Sequence, residues 1–145
     1  MAPTEILAQQ HYKSFSDLLF PLGISIGLLT GSIKNSERKK LNADLQNGDC
    51  RILIGTHALI EEHVKFKSLG LVIIDEQHRF GVAQRARLLE KGNQHPHFLV
   101  MTATPIPRTM ALSFYGDLDV SKIDQLPVGR KPIKTAVRAE NERHK

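Results

Sequence analysis

No apolar run in these 145 residues approaches the ~20 needed to cross a bilayer. The opening Met1-Ala2-Pro3-Thr4-Glu5 has no basic leader ahead of its apolar residues, so a signal peptide is not expected. Cysteine occurs once, at Cys50, which excludes an internal disulfide and makes a reducing cytoplasm the expected setting. Internal repeats and low-complexity tracts are lacking. The seven histidines are scattered, and His95-Pro96-His97 stands without cysteines, so no zinc site is expected there. Two glycine loops are missing as well. Without Gly-x-Gly-x-x-Gly a metabolic enzyme with a doubly wound sheet is a remote alternative, and without Gly-x-x-x-x-Gly-Lys-Ser/Thr no segment can wrap nucleotide phosphates in the usual way.

What is present suits a soluble globular domain. Hydrophobic residues make up 41% and charged residues 24%, and the length is that of one domain with a real core. A net charge of +5 fits a polyanionic partner without requiring one. The most informative stretch is Leu69-Gly70-Leu71-Val72-Ile73-Ile74-Asp75-Glu76-Gln77-His78-Arg79-Phe80. Its apolar, β-branched start reads as a strand buried on both faces of a parallel sheet, and it ends abruptly on two acids. Ligands of open α/β sheets bind outside the carboxyl ends of the strands, which is where Asp75 and Glu76 would stand. If the chain turns at once, both carboxylates suit phosphoryl transfer to water, one holding Mg²⁺ through its water shell and the other orienting the attacking water. On the dipeptide alone, a loop start or helix cap serves equally well.

Upstream, Pro3-Thr4-Glu5 precedes a helical pattern in which Ala8, Tyr12, Phe15, Leu19 and Leu22 share one face. Thr4 is its expected cap, and Pro21 with Gly23 its end. A hydroxyl and free amides at such a start can also hold a phosphate. A strand over 24–29 runs into Thr30-Gly31-Ser32, which by itself is as readily a turn as a site. A helix capped by Asn35-Ser36 turns Leu41 and Leu45 inward and leaves Arg38, Lys39 and Lys40 on a solvated basic face, before Asn47-Gly48 closes it. A strand over 51–55 leads to Thr56-His57. Three hydroxyl clusters at strand and helix ends together suit a phosphate backbone followed along a groove, with little sequence preference. A helix over 82–91 with Arg85 and Arg87 exposed and Leu88 and Leu89 buried, a strand over 97–101, a helix over 108–115 and a strand over 118–123 complete the pattern. Residues 126–132 have a linker's composition, and a new strand starts at 133.

Asp75-Glu76-Gln77-His78 resembles the Walker B box of superfamily-two helicases, and Met101-Thr102-Ala103-Thr104-Pro105-Ile106-Pro107-Arg108-Thr109 resembles their coupling motif. The longer strings Asp75-Glu76-Gln77-His78-Arg79-Phe80-Gly81-Val82-Ala83-Gln84-Arg85 and Tyr115-Gly116-Asp117-Leu118-Asp119-Val120 are similar to the RecG family of ATP-dependent helicases, which remodel forked and Holliday-junction DNA in recombination and repair. The motor segment of a transcription-repair coupling translocase, which shares Arg-Phe-Gly-Val and Thr-Ala-Thr-Pro-Ile-Pro-Arg-Thr, is the alternative, and Asp-Glu-Gln-His with Tyr-Gly-Asp-Leu-Asp-Val favours the RecG family.

The resemblance implies an α/β, RecA-like sheet of the P-loop NTPase type, flanked by helices and lacking the phosphate-loop strand. Residues 1–125 would be part of a first motor domain, 126–132 a linker, and 133–145 the start of a second motor domain. ATP and Mg²⁺ are the implied cofactors and branched DNA the implied partner, with the phosphate-loop segment and second motor domain of the same protein completing the site. Asp75 would serve Mg²⁺ through water, Glu76 the water nucleophile, and Gln77 and His78 the nucleotide and the second domain. Thr102, Ala103 and Thr104 would couple nucleotide state to DNA. Pro3, Thr4, Thr30, Gly31, Ser32, Thr56 and His57 would lie on the DNA backbone. Since the phosphate loop is missing, an internal segment without ATPase activity of its own, acting as an inert DNA-binding module, is the companion expectation, and marginal stability follows if a central strand is absent.

Overall fold

A computed structural model describes residues 1–76, 80–92, 96–103, 119–125, 127 and 129. The chain divides into two units, Met1–Pro105 and Ile106–Lys145, and every helix and strand described below lies in the first. The elements run α1 (Glu5–Leu19), β1 (Ile26–Leu29), α2 (Asn35–Asn47), β2 (Ile52–Gly55), β3 (Leu71–Ile74), α3 (Val82–Leu89) and β4 (His97–Val100), with single 3-10 turns at Phe20–Leu22 and His57–Ile60. The fold is α/β, as the alternation of helical and strand patterns predicts.

The strands form two parallel pairs. β1 lies beside β2 with Ile26 opposite Ile52 and Leu29 opposite Gly55, and β3 beside β4 with Leu71 opposite His97 and Ile74 opposite Val100. Met1 and Ala2 bridge the pairs at their carboxyl ends. The Met1 amine donates to the Ile73 carbonyl at 2.7 Å, the Asp75 N–H to the Met1 carbonyl at 3.0 Å, and the Ala2 N–H to the Gly55 carbonyl at 2.8 Å. Two residues therefore do the work of a strand end between β2 and β3.

Side-chain alternation sorts the strand residues between two faces. Ile26 and Leu28 of β1 and Ile52 and Ile54 of β2 pack with Ala2, Ala8, Leu7 and Tyr12 under α1. Leu29 and Leu53 turn the other way, into a larger cluster with Leu41 and Leu45 of α2, Val72 and Ile74 of β3, Leu88 of α3, and Phe80. Cys50 lies in this second cluster, where its thiol donates to the Ile52 carbonyl and burial pushes its pKa up, so it behaves as a small apolar residue. Lys91, just past α3, donates to the carbonyls of Glu61 and Val64, and burial lowers its pKa.

Several expectations fail locally. The predicted α1 face is covered unevenly: Ala8 is buried and Tyr12 and Leu19 half-buried, but Phe15 is exposed and Leu22, on the 3-10 turn, more so. A 15-residue helix is roughly 22 Å long, whereas four-residue strands span roughly 13 Å, so α1 overhangs its support. α2 starts one residue earlier than predicted, with Lys34 rather than Asn35 at the cap position and no side chain closing it. β3 is buried on one face only, through Val72 and Ile74; Leu71 is 54% exposed, because no helix among the described residues covers the other face of β3 and β4. The strand expected over 118–123 does not form in 119–123, where Val120 and Ile123 are exposed and no neighbouring strand among the described residues offers a ladder. The exposed side chains of Lys122 and Asp124 pair there at 2.7 Å. The helix expected over 108–115 and the strand from 133 lie outside the described residues, as do Arg79 and His95.

Gly55 has no room for a side chain, since a Cβ there would run into the Leu29 carbonyl oxygen of the paired strand. Gly55→Ala is expected to lower stability by about 1–3 kcal/mol in urea unfolding, because backbone rather than a pliable side chain must move. Burial lowers the Met1 amine from its ordinary 8.0 to about 6, partly offset by the nearby Asp75 charge. Between these values the unfolded chain binds a proton that the folded chain does not, so stability is lost as pH falls from 8 to 6, by roughly 2 kcal/mol. Unfolding at both pH values, with and without acetylation of this amine, checks the slope, which acetylation should flatten.

Candidate nucleotide and nucleic-acid site

Because the strands run parallel within each pair and Met1 and Ala2 bridge the pairs where β2 and β3 end, the carboxyl ends gather on one edge, as open α/β sheets require of a binding site. Thr30 follows β1, Thr56 follows β2, Asp75 follows β3, and Met101 leads to Thr102 after β4.

Asp75 is fixed from two sides. Its N–H is held by Met1, and its carboxylate Oδ2 lies 3.0 Å from Nε2 of His11 on α1. The His11 ring thereby orients the carboxylate, and forms an ion pair with it whenever the imidazole is protonated. Glu76 then takes φ of +49°, the left-handed region that non-glycine residues enter at a cost of about 1–2 kcal/mol. This is the immediate turn that two consecutive carboxylates need if both are to serve one site. Such strain persists where the surrounding structure enforces it, and it clusters at functional positions. Gln77 and His78 lie outside the described residues. The chain returns at Phe80, which is buried in the larger core.

β4 brings the expected coupling segment to the acids. The Met101 N–H donates to the Ile74 carbonyl at 2.8 Å, so Thr102 and Ala103 leave the sheet beside the point where Asp75 begins. Thr104 lies outside the described residues.

The hydroxyl clusters also converge. Thr4 caps α1, its Oγ1 accepting from the Leu7 N–H, and Pro3 is half-buried beside it. Glu5 reaches the turn after β1: Oε2 accepts from the Ser32 hydroxyl at 2.9 Å and Oε1 from the Ser32 N–H at 3.3 Å. Thr30 is buried, with Oγ1 3.1 Å from Ser32 Oγ, while Gly31 and Ser32 are exposed. Thr56 is buried and its N–H donates to the Leu29 carbonyl, tying the β2 end to the β1 end. His57 is exposed on one side and sets its ring against Phe80, with centroids 5.1 Å apart and planes tilted by 48°. That contact places the third hydroxyl cluster against the return of the acidic segment.

Three contributors have no signal in sequence spacing. His11 and Glu5 read there as ordinary helix residues, and their partners lie 64 and 27 positions away. Arg38 was expected on a solvated face, but it is half-buried. Its guanidinium donates to the Thr30 carbonyl at 3.3 Å and to Glu61 at 2.6 Å, with His63 also 3.1 Å from that carboxylate. The helix turns this position toward the loop after β1, whereas Lys39 and Lys40 remain exposed. Between α1, β1 and α2 opens a groove of about 480 Å³, with Tyr12, Gly27 and Leu41 along it and Ser32 and Lys40 among its polar residues. Among the described residues no three His, Cys, Asp or Glu side chains cluster as a metal cage, and no helix is long and apolar enough to cross a membrane.

Comparison with known proteins gives the family and the fold. Residues 1–112 match the DEAD/DEAH box helicase family. The chain is 58% identical over 144 residues to the ATP-dependent DNA helicase RecG of Aquifex aeolicus, covering 99% of this chain and 18% of that protein. It is 54% identical over 138 residues to RecG of Escherichia coli K12, covering 93% and 20%. A solved structure of RecG bound to a three-way DNA junction superposes with a TM-score of 0.74 at 53% identity, over 92% of this chain and 17% of that one. The chain thus spans about a fifth of the length of the curated relatives it matches, and its fold is that of a RecA-like helicase domain.

Proposed function

Because the chain belongs to the DEAD/DEAH box helicase family, we propose that it forms part of the motor of an ATP-dependent DNA helicase of the RecG kind, one that remodels forks and Holliday junctions in recombination and repair. The observation that carries this reading is the shared strand-end edge, where Asp75 and Glu76 stand beside Thr102 and the His57–Phe80 contact leads to the hydroxyl clusters. Nucleotide chemistry and backbone binding would then be adjacent without being the same site. A bacterial cytoplasm, reducing and holding DNA, is the setting this implies.

The donor set fits a nucleotide-bound magnesium ion. Two consecutive carboxylates, with no cluster of three His, Cys, Asp or Glu among the described residues, suit Mg²⁺, which keeps most of its water and takes few carboxylates. ATP with Mg²⁺ would supply the transferable phosphoryl group and neutralise its charge. Asp75, oriented by His11, would hold the hydrated ion. Glu76, turned by its left-handed backbone, would position the attacking water and accept its proton. Gln77 and His78 would contact the nucleotide and the second motor domain, and Thr102, Ala103 and Thr104 would report nucleotide state to the DNA side. Pro3, Thr4, Thr30, Gly31, Ser32, Thr56 and His57 would line the phosphate path. Buried Thr30 and Thr56 would act mainly by shaping the turns, and exposed Ser32, Gly31 and His57 by direct contact.

For the 145 residues by themselves, binding without turnover is the better reading, since the sequence holds no Gly-x-x-x-x-Gly-Lys-Ser/Thr loop. Glu76→Gln in a complete RecG-type protein should leave ATP binding intact and reduce hydrolysis by about 10²–10⁴-fold, the range of a general base. The 145-residue chain should bind DNA with a steep salt dependence and hydrolyse no ATP. Unimpaired hydrolysis by the Gln variant, or DNA-stimulated hydrolysis by the short chain that survives this substitution, would remove Glu76 from its assigned role.

A further inference from the structure

We propose that Glu5 is an intramolecular occupant of the anion cradle at Ser32, and that a nucleic-acid phosphate binds there by displacing it. The inference rests on the reading of Thr30-Gly31-Ser32 as a backbone contact, and adds to it a competing group supplied by the chain itself. One carboxylate oxygen takes the Ser32 hydroxyl and the other the Ser32 N–H, a two-pronged contact that a phosphodiester's two free oxygens would reproduce.

The cradle around Glu5 is built and held independently of it. Thr30 Oγ1 sits 3.1 Å from Ser32 Oγ, and Arg38 holds the Thr30 carbonyl from behind. Gly31 leaves the approach open: a Cβ there would come within 3.2 Å of Glu5 Oε1, closer than ordinary packing. Glu5 itself sits in the first turn of α1, immediately after the Thr4 cap, and is only partly buried. Its side chain can swing to solvent without unwinding the helix, because Thr4 rather than Glu5 accepts the Leu7 N–H.

A ligand must therefore outcompete a tethered carboxylate. One phosphate meets that competition alone, whereas a phosphodiester chain also engages His57 and the exposed lysines of α2, and gains from counterion release along its length. Glu5 would thus favour an extended backbone over a lone phosphate or nucleotide at this position.

The test measures binding of a fluorescent single-stranded oligonucleotide to the 145-residue chain by anisotropy, with a thermal melt of each variant. Glu5→Gln removes the charge at nearly constant size, and Glu5→Asp keeps the charge but shortens its reach to Ser32. Both should tighten binding, Glu5→Gln by on the order of three- to tenfold, the range of a charge-assisted contact at a partly exposed site. Glu37→Gln on α2 is the control for loss of a carboxylate near the groove and should change binding less than twofold. Ser32→Ala should weaken binding and abolish the gain from Glu5→Gln in the double variant. If Ser32→Ala weakens binding but neither Glu5 variant tightens it, the displacement is wrong and the backbone site stands. Equal gains from Glu5→Gln and Glu37→Gln would reduce the effect to general charge and overturn the proposal. If Ser32→Ala changes nothing, or no protein binds, the site itself is misassigned and the proposal falls with it.

Discussion

Three backbone hydrogen bonds made by Met1 and Ala2 hold the site together. They join the Gly55 carbonyl at the end of β2 to the Ile73 carbonyl and Asp75 N–H at the end of β3, across a gap where the two strand pairs share no ladder of their own. Separately, each pair has four-residue strands, which is little support for a sheet in water. The bridge places the hydroxyl turns of the first pair and the acids of the second on one edge. It also accounts for the lowered pKa of the Met1 amine, an ammonium group withdrawn from water to serve as a ladder donor.

Packing on both sides keeps that edge in register. α1 covers one face of β1 and β2, and α2 with α3 and Phe80 fills the other. From this frame three long-range polar contacts reach the site: His11 to Asp75, Glu5 to Ser32, and Arg38 to Thr30. Each positions a loop or a carboxylate that the strands alone would leave free to rotate. The left-handed Glu76 is the converse case, a backbone cost retained where a carboxylate must be turned beside its neighbour.

Reading the chain from its residues works best where a local rule is strong. Thr4 caps α1, Gly23 and Gly48 close their segments with φ of 65° and 83°, and the β-branched run before Asp75 is a strand. It works less well where the outcome depends on what lies opposite. Phe15 and Leu22 have the right spacing but stay exposed, and Leu71 sits in an apolar strand whose outer face no described helix covers. Asn35 is a good capping residue by type, yet the helix begins one position earlier, a shift that propensity does not resolve.

Up to β4, the helices and strands, their order, and the acidic and hydroxyl residues at strand ends followed from local chemistry alone: side-chain periodicity, capping groups, glycine turns and the abrupt change from apolar to charged residues after Ile74. Those are properties of neighbours in the chain. Which residues assist them was settled only by folding, because His11, Glu5, Arg38 and Phe80 meet their partners across separations that no spacing rule encodes. The same holds for burial of Thr30 and Thr56, whose hydroxyls look alike in sequence to that of exposed Ser32. Parallel pairing brings distant strand ends onto one edge, and the contacts made there depend on register and packing, quantities that exist only once the chain has closed on itself.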